Sequence, residues 1–201
     1  MAITDIFSKR KKRLEKAEKP DVYQYDSLPQ AFRVQVAHIW RDAIGPYAID
    51  PGFRANSNAF WQLMKEGLCR EKGMFSLSSR ASNVAEQCLD FLMNADTDGA
   101  LDIIELSLRV IDRRVREMHP YLRADAKITQ DPDCAIEELN QRFLEHAIGY
   151  QYTDGIIIRV DSQFIHSEVV KPALSLLGQP GYEGPADEFI RAFDHYRHGP
   201  R

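Results

Sequence analysis

Cysteine is scarce in this chain of 201 residues, and the three that occur lie far apart. Cys69, Cys88 and Cys134 form no CxxC pair, and their number is odd. This pattern argues against a disulfide framework and is typical of reduced, buried thiols. We therefore expect a cytoplasmic protein.

Long apolar runs are also missing. No stretch approaches the roughly 18 apolar residues that a membrane-spanning helix needs, and residues 1–7 lack the hydrophobic centre of a secretion signal. The Walker loop and the GxGxxG and GxSxG patterns are absent as well. We expect neither a cofactor nor a membrane partner.

Charge is present but unevenly distributed. The chain carries a formal net charge of −4, and residues 9–19 (KRKKRLEKAEK) hold seven basic and two acidic residues, or +5, which leaves −9 for the remainder. A basic arm on an acidic body can bind RNA, DNA, anionic lipid or its own acidic face. The residues expected to bind nucleic acid or a partner are Lys9, Arg10, Lys11, Lys12 and Arg13. In the alternative interpretation, residues 9–19 are simply the solvent-exposed start of a helix and bind nothing.

Helical spacing of apolar residues covers most of the chain. Caps and prolines predict where the helices begin. The predicted starts are Ser27, Asn56 or Ser57, Asn83, about Asp98, Asp131, Asp161 or Ser162, and Pro185. The helix from about Asp98 is predicted to run to Met118, and Gly45-Pro46, Gly73 and His119-Pro120 are predicted helix ends.

One β-hairpin is predicted among these helices. Two runs rich in β-branched and aromatic residues, Gly149–Thr153 and Ile156–Val160, flank Asp154-Gly155, and this dipeptide favours a type I′ turn. A lone hairpin is marginal in water, so Val22–Tyr25 is a candidate third strand.

These elements together predict an α+β fold that is predominantly α-helical. It has about six or seven helices and one hairpin at about 149–160. The expected organisation is a basic N-terminal arm at 1–20 and a single helical domain at 21–201.

A calcium-binding pattern occurs at residues 94–105. It matches the EF-hand loop except at its first position, where Asn94 replaces the usual Asp. The candidate ligands are Asp96, Asp98, Asp102 and Glu105. In the alternative interpretation, Asp96, Thr97 or Asp98 caps a helix and Glu105 lies on its exposed side.

Two further sets of side chains resemble catalytic ones. Arg114 and His119 have the Arg-to-His spacing of a HEPN nuclease, but arginine is frequent enough here for chance matches. Arg33 and His38 match too, on a helix with a full apolar stripe where His38 is expected to be a core or boundary residue. A polar cluster of His146, Arg159, Asp161 and His166 can serve acid–base or metal chemistry, or can simply fix the hairpin to its helices.

The run from Glu137 to Leu177, which includes GYQYTDGIIIRVDSQFIHSEVVKPAL, resembles the N-terminal domain of AbiJ-type abortive-infection proteins. Phe7–Gly45 and Ala100–Arg113 resemble the same class, so the likeness covers nearly the whole chain. These are bacterial anti-phage proteins. In them this domain precedes a helical HEPN-type domain to which a ribonuclease toxin activity is attributed. Because the sequence ends at Arg201, we expect that toxic part to be absent.

The resemblance implies a recognition or regulatory module without catalysis of its own. Its expected partners are a C-terminal toxin domain or a second copy of the chain, and RNA or a phage product. Two alternatives stay open: an RNA-acting, HEPN-like ribonuclease complete in this chain, and a calcium-binding protein that uses the loop at 94–105.

Overall fold

The computed structural model describes residues 23–48 and 55–160. There the chain forms six α-helices and a two-stranded antiparallel hairpin, which confirms the predicted α+β, mainly helical fold. The helices are α1 (Gln30–Ile44), α2 (Ala55–Lys72), α3 (Val84–Asn94), α4 (Thr97–Val110), α5 (Pro120–Asp125) and α6 (Pro132–Glu145). The hairpin consists of β1 (Tyr150–Thr153) and β2 (Ile156–Arg159).

Several predictions fall outside the described residues. These are the basic arm at 1–20, the residues Asp161 and His166, and the helices expected to begin at Asp161 or Ser162 and at Pro185. The contacts divide the chain after Ile158, so nearly all described residues belong to the first of two units. The division into an arm at 1–20 and a domain at 21–201 stays a prediction.

The core is built around large aromatic side chains from three helices. Phe32 of α1 packs against Phe143 of α6, with ring centroids 4.9 Å apart, and both are fully buried. Trp40 of α1 meets Trp61 of α2 edge to face at 6.0 Å. Helices α3 and α4 close the core, because α2 packs against both of them.

Local signals place some helix boundaries correctly. Asn83 caps α3, with its side-chain oxygen accepting from the N–H of Glu86 at 2.9 Å. Asp131 caps α6 by accepting from Asp133 N–H at 3.0 Å. Gly45 and Gly73 follow α1 and α2 with φ of +93° and +65°, so the predicted ends of these two helices are confirmed.

Two predicted caps are wrong, since each hydroxyl finds another partner. The Ser27 hydroxyl donates to the Gln24 side chain. Helix α1 begins at Gln30, directly after Pro29, and has no side-chain cap. Ser57 lies inside α2, which already begins at Ala55, and its hydroxyl donates to the carbonyl of Pro46 at 2.9 Å.

The long helix predicted from Asp98 to Met118 is interrupted. Helix α4 ends at Val110, and Ile111–Val115 form a π-helical turn in which Arg116 N–H reaches back to Ile111 O at 3.2 Å. The short α5 then starts at Pro120. Apolar spacing does not reveal this wider turn, because Ile111 and Val115 are buried within it as they would be in a regular helix.

The hairpin has the predicted turn. Asp154 and Gly155 adopt φ of +51° and +87°, and a type I′ turn requires positive φ at both positions. The segment before α1 approaches the start of the hairpin, where Gln24 pairs with Ile148 in a single parallel bridge. The candidate third strand is therefore one bridge rather than a strand, as far as the described residues show.

Candidate functional site

The outer edge of β1 is bound by a side chain of α6. The Asn140 carboxamide accepts a hydrogen bond from Tyr152 N–H at 2.8 Å and donates to Tyr152 O at 2.9 Å. Asn140 thereby replaces the neighbouring strand that an edge lacks. The Tyr152 side chain is 2% exposed, and burial raises its pKa to about 12, so its phenol stays neutral near pH 7.

The outer edge of β2 is bound by two side chains of α4. Glu105 Oε2 accepts from Ile157 N–H at 2.7 Å, and Arg109 Nε donates to Gly155 O at 2.7 Å. The two side chains also pair with each other, with Glu105 Oε1 and Arg109 Nη2 2.5 Å apart. Because both edges of the hairpin are bound, a two-stranded sheet can be held rigidly on the helices.

The turn at Gly155 can be tested by substitution. Gly155→Val should lower the free energy of unfolding by about 1 kcal/mol or more, because a β-branched residue resists positive φ. The turn is less exposed than its sequence suggests, since Gly155 is buried and a Cβ there would lie 3.5 Å from Arg113 Nη2. Urea denaturation measures the loss.

Asp154→Asn is the matched control, because asparagine tolerates positive φ. It should change the free energy of unfolding by less than about 0.5 kcal/mol. Equal losses in the two variants would contradict the positive-φ explanation.

A groove opens beside the Glu105 contact, and we call it the α4 groove. It has a volume of about 460 Å³. Its lining residues are Lys72, Asp98, Leu101, Asp102, Glu105, Tyr150 and Ile157. The acidic members recur along α4 at intervals of four and three residues, which places them on one face of that helix.

The α4 groove lies in a strongly acidic part of the chain. Between Ser82 and Leu108 the sequence has no lysine or arginine and six carboxylates, which are Glu86, Asp90, Asp96, Asp98, Asp102 and Glu105. Two basic residues from elsewhere offset part of this charge. Lys72 lies 2.5 Å from Asp102, and this hydrogen bond raises the lysine pKa, while Arg109 pairs with Glu105.

The residues of the predicted calcium loop are arranged as a helix cap. Asp96 Oδ1 accepts from Gly99 N–H at 2.9 Å, and the helix has already begun at Thr97. Asp98, Asp102 and Glu105 therefore follow one helix face instead of converging around an ion, as EF-hand ligands must. No group of three or more potential ligands is placed to hold a metal within residues 23–48 and 55–160.

One residue of each Arg–His pair has a role in local structure. His119 caps α5, with Nδ1 accepting from Tyr121 N–H at 3.3 Å, while Arg114 lies exposed on the π-helical turn. Arg33 is buried, whereas His38 is exposed. His38 was expected to be a core or boundary residue, and this is wrong. It lies five positions after the buried Arg33, which places it on a different face of the helix.

The predicted polar cluster is only partly described. His146 Nε2 lies 2.8 Å from Gln35 Oε1, and its ring meets Phe32 edge to face at 5.8 Å, so this histidine ties the end of α6 to α1. Arg159 is exposed at the end of β2, and Asp161 and His166 lie outside the described residues.

Sequence reasoning missed Asn140 and Arg109, and it considered Glu105 only as a candidate calcium ligand or an exposed helix residue. The four-residue spacing of Glu105 and Arg109 predicts an ion pair on one helix face. Nothing in that spacing indicates the backbone of β2, about 50 residues further along the chain.

The chain matches a known protein family. The model of the family described as AbiJ N-terminal domain 4 matches residues 5–175, which is most of the chain. Neither curated proteins nor solved structures show a match. Among the described residues, no helix is both long and apolar enough to cross a membrane.

Proposed function

The chain belongs to the AbiJ N-terminal domain 4 family, and from this membership we propose that it acts in bacterial abortive infection as a recognition or regulatory module. The module does not catalyse. It senses RNA or a phage product and controls a toxin. The observation that carries the proposal is the family match over residues 5–175.

The roles of the nuclease-like side chains support a module without catalysis. His119 caps a helix, and Arg33 donates to backbone carbonyl groups. A general acid or base needs a side chain that can reach substrate with a proton to exchange. Arg33 is buried and donates to three backbone carbonyl groups, so it does not serve in this way.

The proposed partners follow from the family's domain order. A C-terminal HEPN-type toxin domain, or a second copy of this chain, is the partner that the module controls. The proposed RNA contacts are Lys9, Arg10, Lys11, Lys12 and Arg13, which lie outside the described residues. Binding through such a cluster falls steeply with salt, because counterions are released from the phosphates.

Purified residues 1–201 should therefore show no ribonuclease activity on total bacterial RNA. Phage plating should show no protection by residues 1–201 alone, and protection by a form that also carries a HEPN-type domain. His119→Ala is the informative variant. RNA cleavage by residues 1–201 that disappears in His119→Ala would show a complete nuclease and overturn the proposal.

A further inference from the structure

We propose that the α4 groove binds this chain's own basic segment, residues 9–19, and that RNA competes with the groove for that segment. The docking rests on the described groove. The competition additionally rests on RNA recognition as proposed above.

Charge complementarity is the first argument. The groove carries Asp98, Asp102 and Glu105 on one helix face; Lys72 in its lining pairs with Asp102 and Arg109 pairs with Glu105, so the groove keeps a net negative charge. Residues 9–19 carry a charge of +5. One exposed ion pair stabilises a contact only weakly, so more than one must form, and opposite potentials of this kind favour one specific pairing.

The position of the chain is the second argument. Thr97 Oγ1 donates to Asp26 O at 2.8 Å, which places the segment before α1 at the start of α4. The Tyr25 ring meets Tyr150, a groove residue, edge to face at 5.6 Å. Lys19 precedes the first described residue, Tyr23, by four positions, a span of at most about 14 Å. The C-terminal end of the basic segment thus lies within about 14 Å of the described chain that passes beside the groove.

The lining of the groove suits lysine side chains. Leu101, Tyr150 and Ile157 form an apolar part beside the carboxylates, and a lysine can lay its methylene stem on such a surface while its ammonium group meets an acid. Lys12, Lys16 and Lys19 are separated by four and three residues, as are Asp98, Asp102 and Glu105. The matching spacings allow lysines to meet Asp98 and Asp102, whereas Glu105 stays bound to Arg109 and to Ile157 N–H.

Tethering makes this weak contact effective. A short linker gives a local concentration in the millimolar range, so the segment binds without high intrinsic affinity. RNA phosphates attract the same lysines. Docking therefore weakens RNA binding: the apparent association constant equals the intrinsic one multiplied by the fraction of molecules whose segment is free.

Docking can be tested in the full chain by zero-length carbodiimide crosslinking and peptide mass spectrometry. Crosslinks should join residues 9–19 to Asp98 or Asp102, and the yield should fall at high salt. The double variant Asp98→Asn/Asp102→Asn removes both expected crosslink sites, so its effect on docking is measured through RNA binding. The matched control, Glu117→Gln/Glu137→Gln, removes two exposed charges elsewhere and should leave the groove crosslinks unchanged.

Competition is tested by anisotropy with a labelled single-stranded RNA. If about four-fifths of the segments are docked, the groove variant should bind RNA about fivefold more tightly, and the control less than twofold. Groove crosslinks without RNA binding by either protein would overturn RNA sensing and leave docking intact. Crosslinks that are absent, or that spread equally to Glu117 and Glu137, would overturn the docking itself.

Discussion

Gly45→Ala is expected to lower the free energy of unfolding by about 3 kcal/mol. Gly45 follows α1 with φ of +93°, and a Cβ there would lie 2.2 Å from the backbone oxygen of Ala126. A backbone carbonyl cannot rotate away as a side chain can. Trp61 Nε1 also donates to Gly45 O at 3.0 Å, so any shift that relieves the clash moves this bond. Urea denaturation measures the loss.

Gly73→Ala separates the clash from the backbone strain. Gly73 also has positive φ, at +65°, but nothing lies within 4 Å of the Cβ position. Its loss should therefore be about 1 kcal/mol, the cost of the left-handed conformation alone. Equal losses at Gly45 and Gly73 would contradict the proposed contact with Ala126.

Arg33→Met should cost about 3–4 kcal/mol, because it leaves three carbonyl groups without their donor. Arg33 donates through Nε to Leu28 O at 3.1 Å, and through Nη1 to Leu92 O and Ala95 O, both at 2.7 Å. The side chain is 7% exposed. Burial lowers the arginine pKa, and the charge of Asp96 partly offsets this effect. The residue holds the start of α1 against the end of α3.

Two variants define what Arg33 contributes. Arg33→Lys keeps the charge but loses the planar fork that reaches separate acceptors, so it should recover less than half of the loss. Arg41→Met removes an arginine whose side chain is 62% exposed on the same helix, and it should change the free energy of unfolding by less than about 0.5 kcal/mol. A full recovery by lysine would show that only the charge matters.

The local features of the fold could be predicted from the sequence, because each is complete within a few residues. The Asp154-Gly155 turn needs only its own positive φ angles, and the Asn83 cap needs only the N–H of Glu86. The apolar stripes likewise predicted α1 and α2, since helical spacing alone places those residues on one face.

Predictions failed where a side chain had a choice of partners. Ser57 is of a residue type that often caps helices, yet its hydroxyl donates a hydrogen bond to the carbonyl oxygen of Pro46. Glu105 was expected, in the helix-cap interpretation, on the exposed side of the helix, yet it accepts from Ile157 N–H. In both cases a partner brought close by the fold replaced the one that the local pattern suggested.

The sequence by itself thus determined the fold class, the hairpin with its turn and the family. These depend on periodicity and on short motifs that act locally. Only the tertiary structure decided that Asn140, Glu105 and Arg109 bind the two edges of the hairpin, and that an acidic groove lies beside them. The physical reason is distance along the chain. A hydrogen bond between residues 105 and 157 depends on how the helices pack, and no spacing in the sequence records that packing.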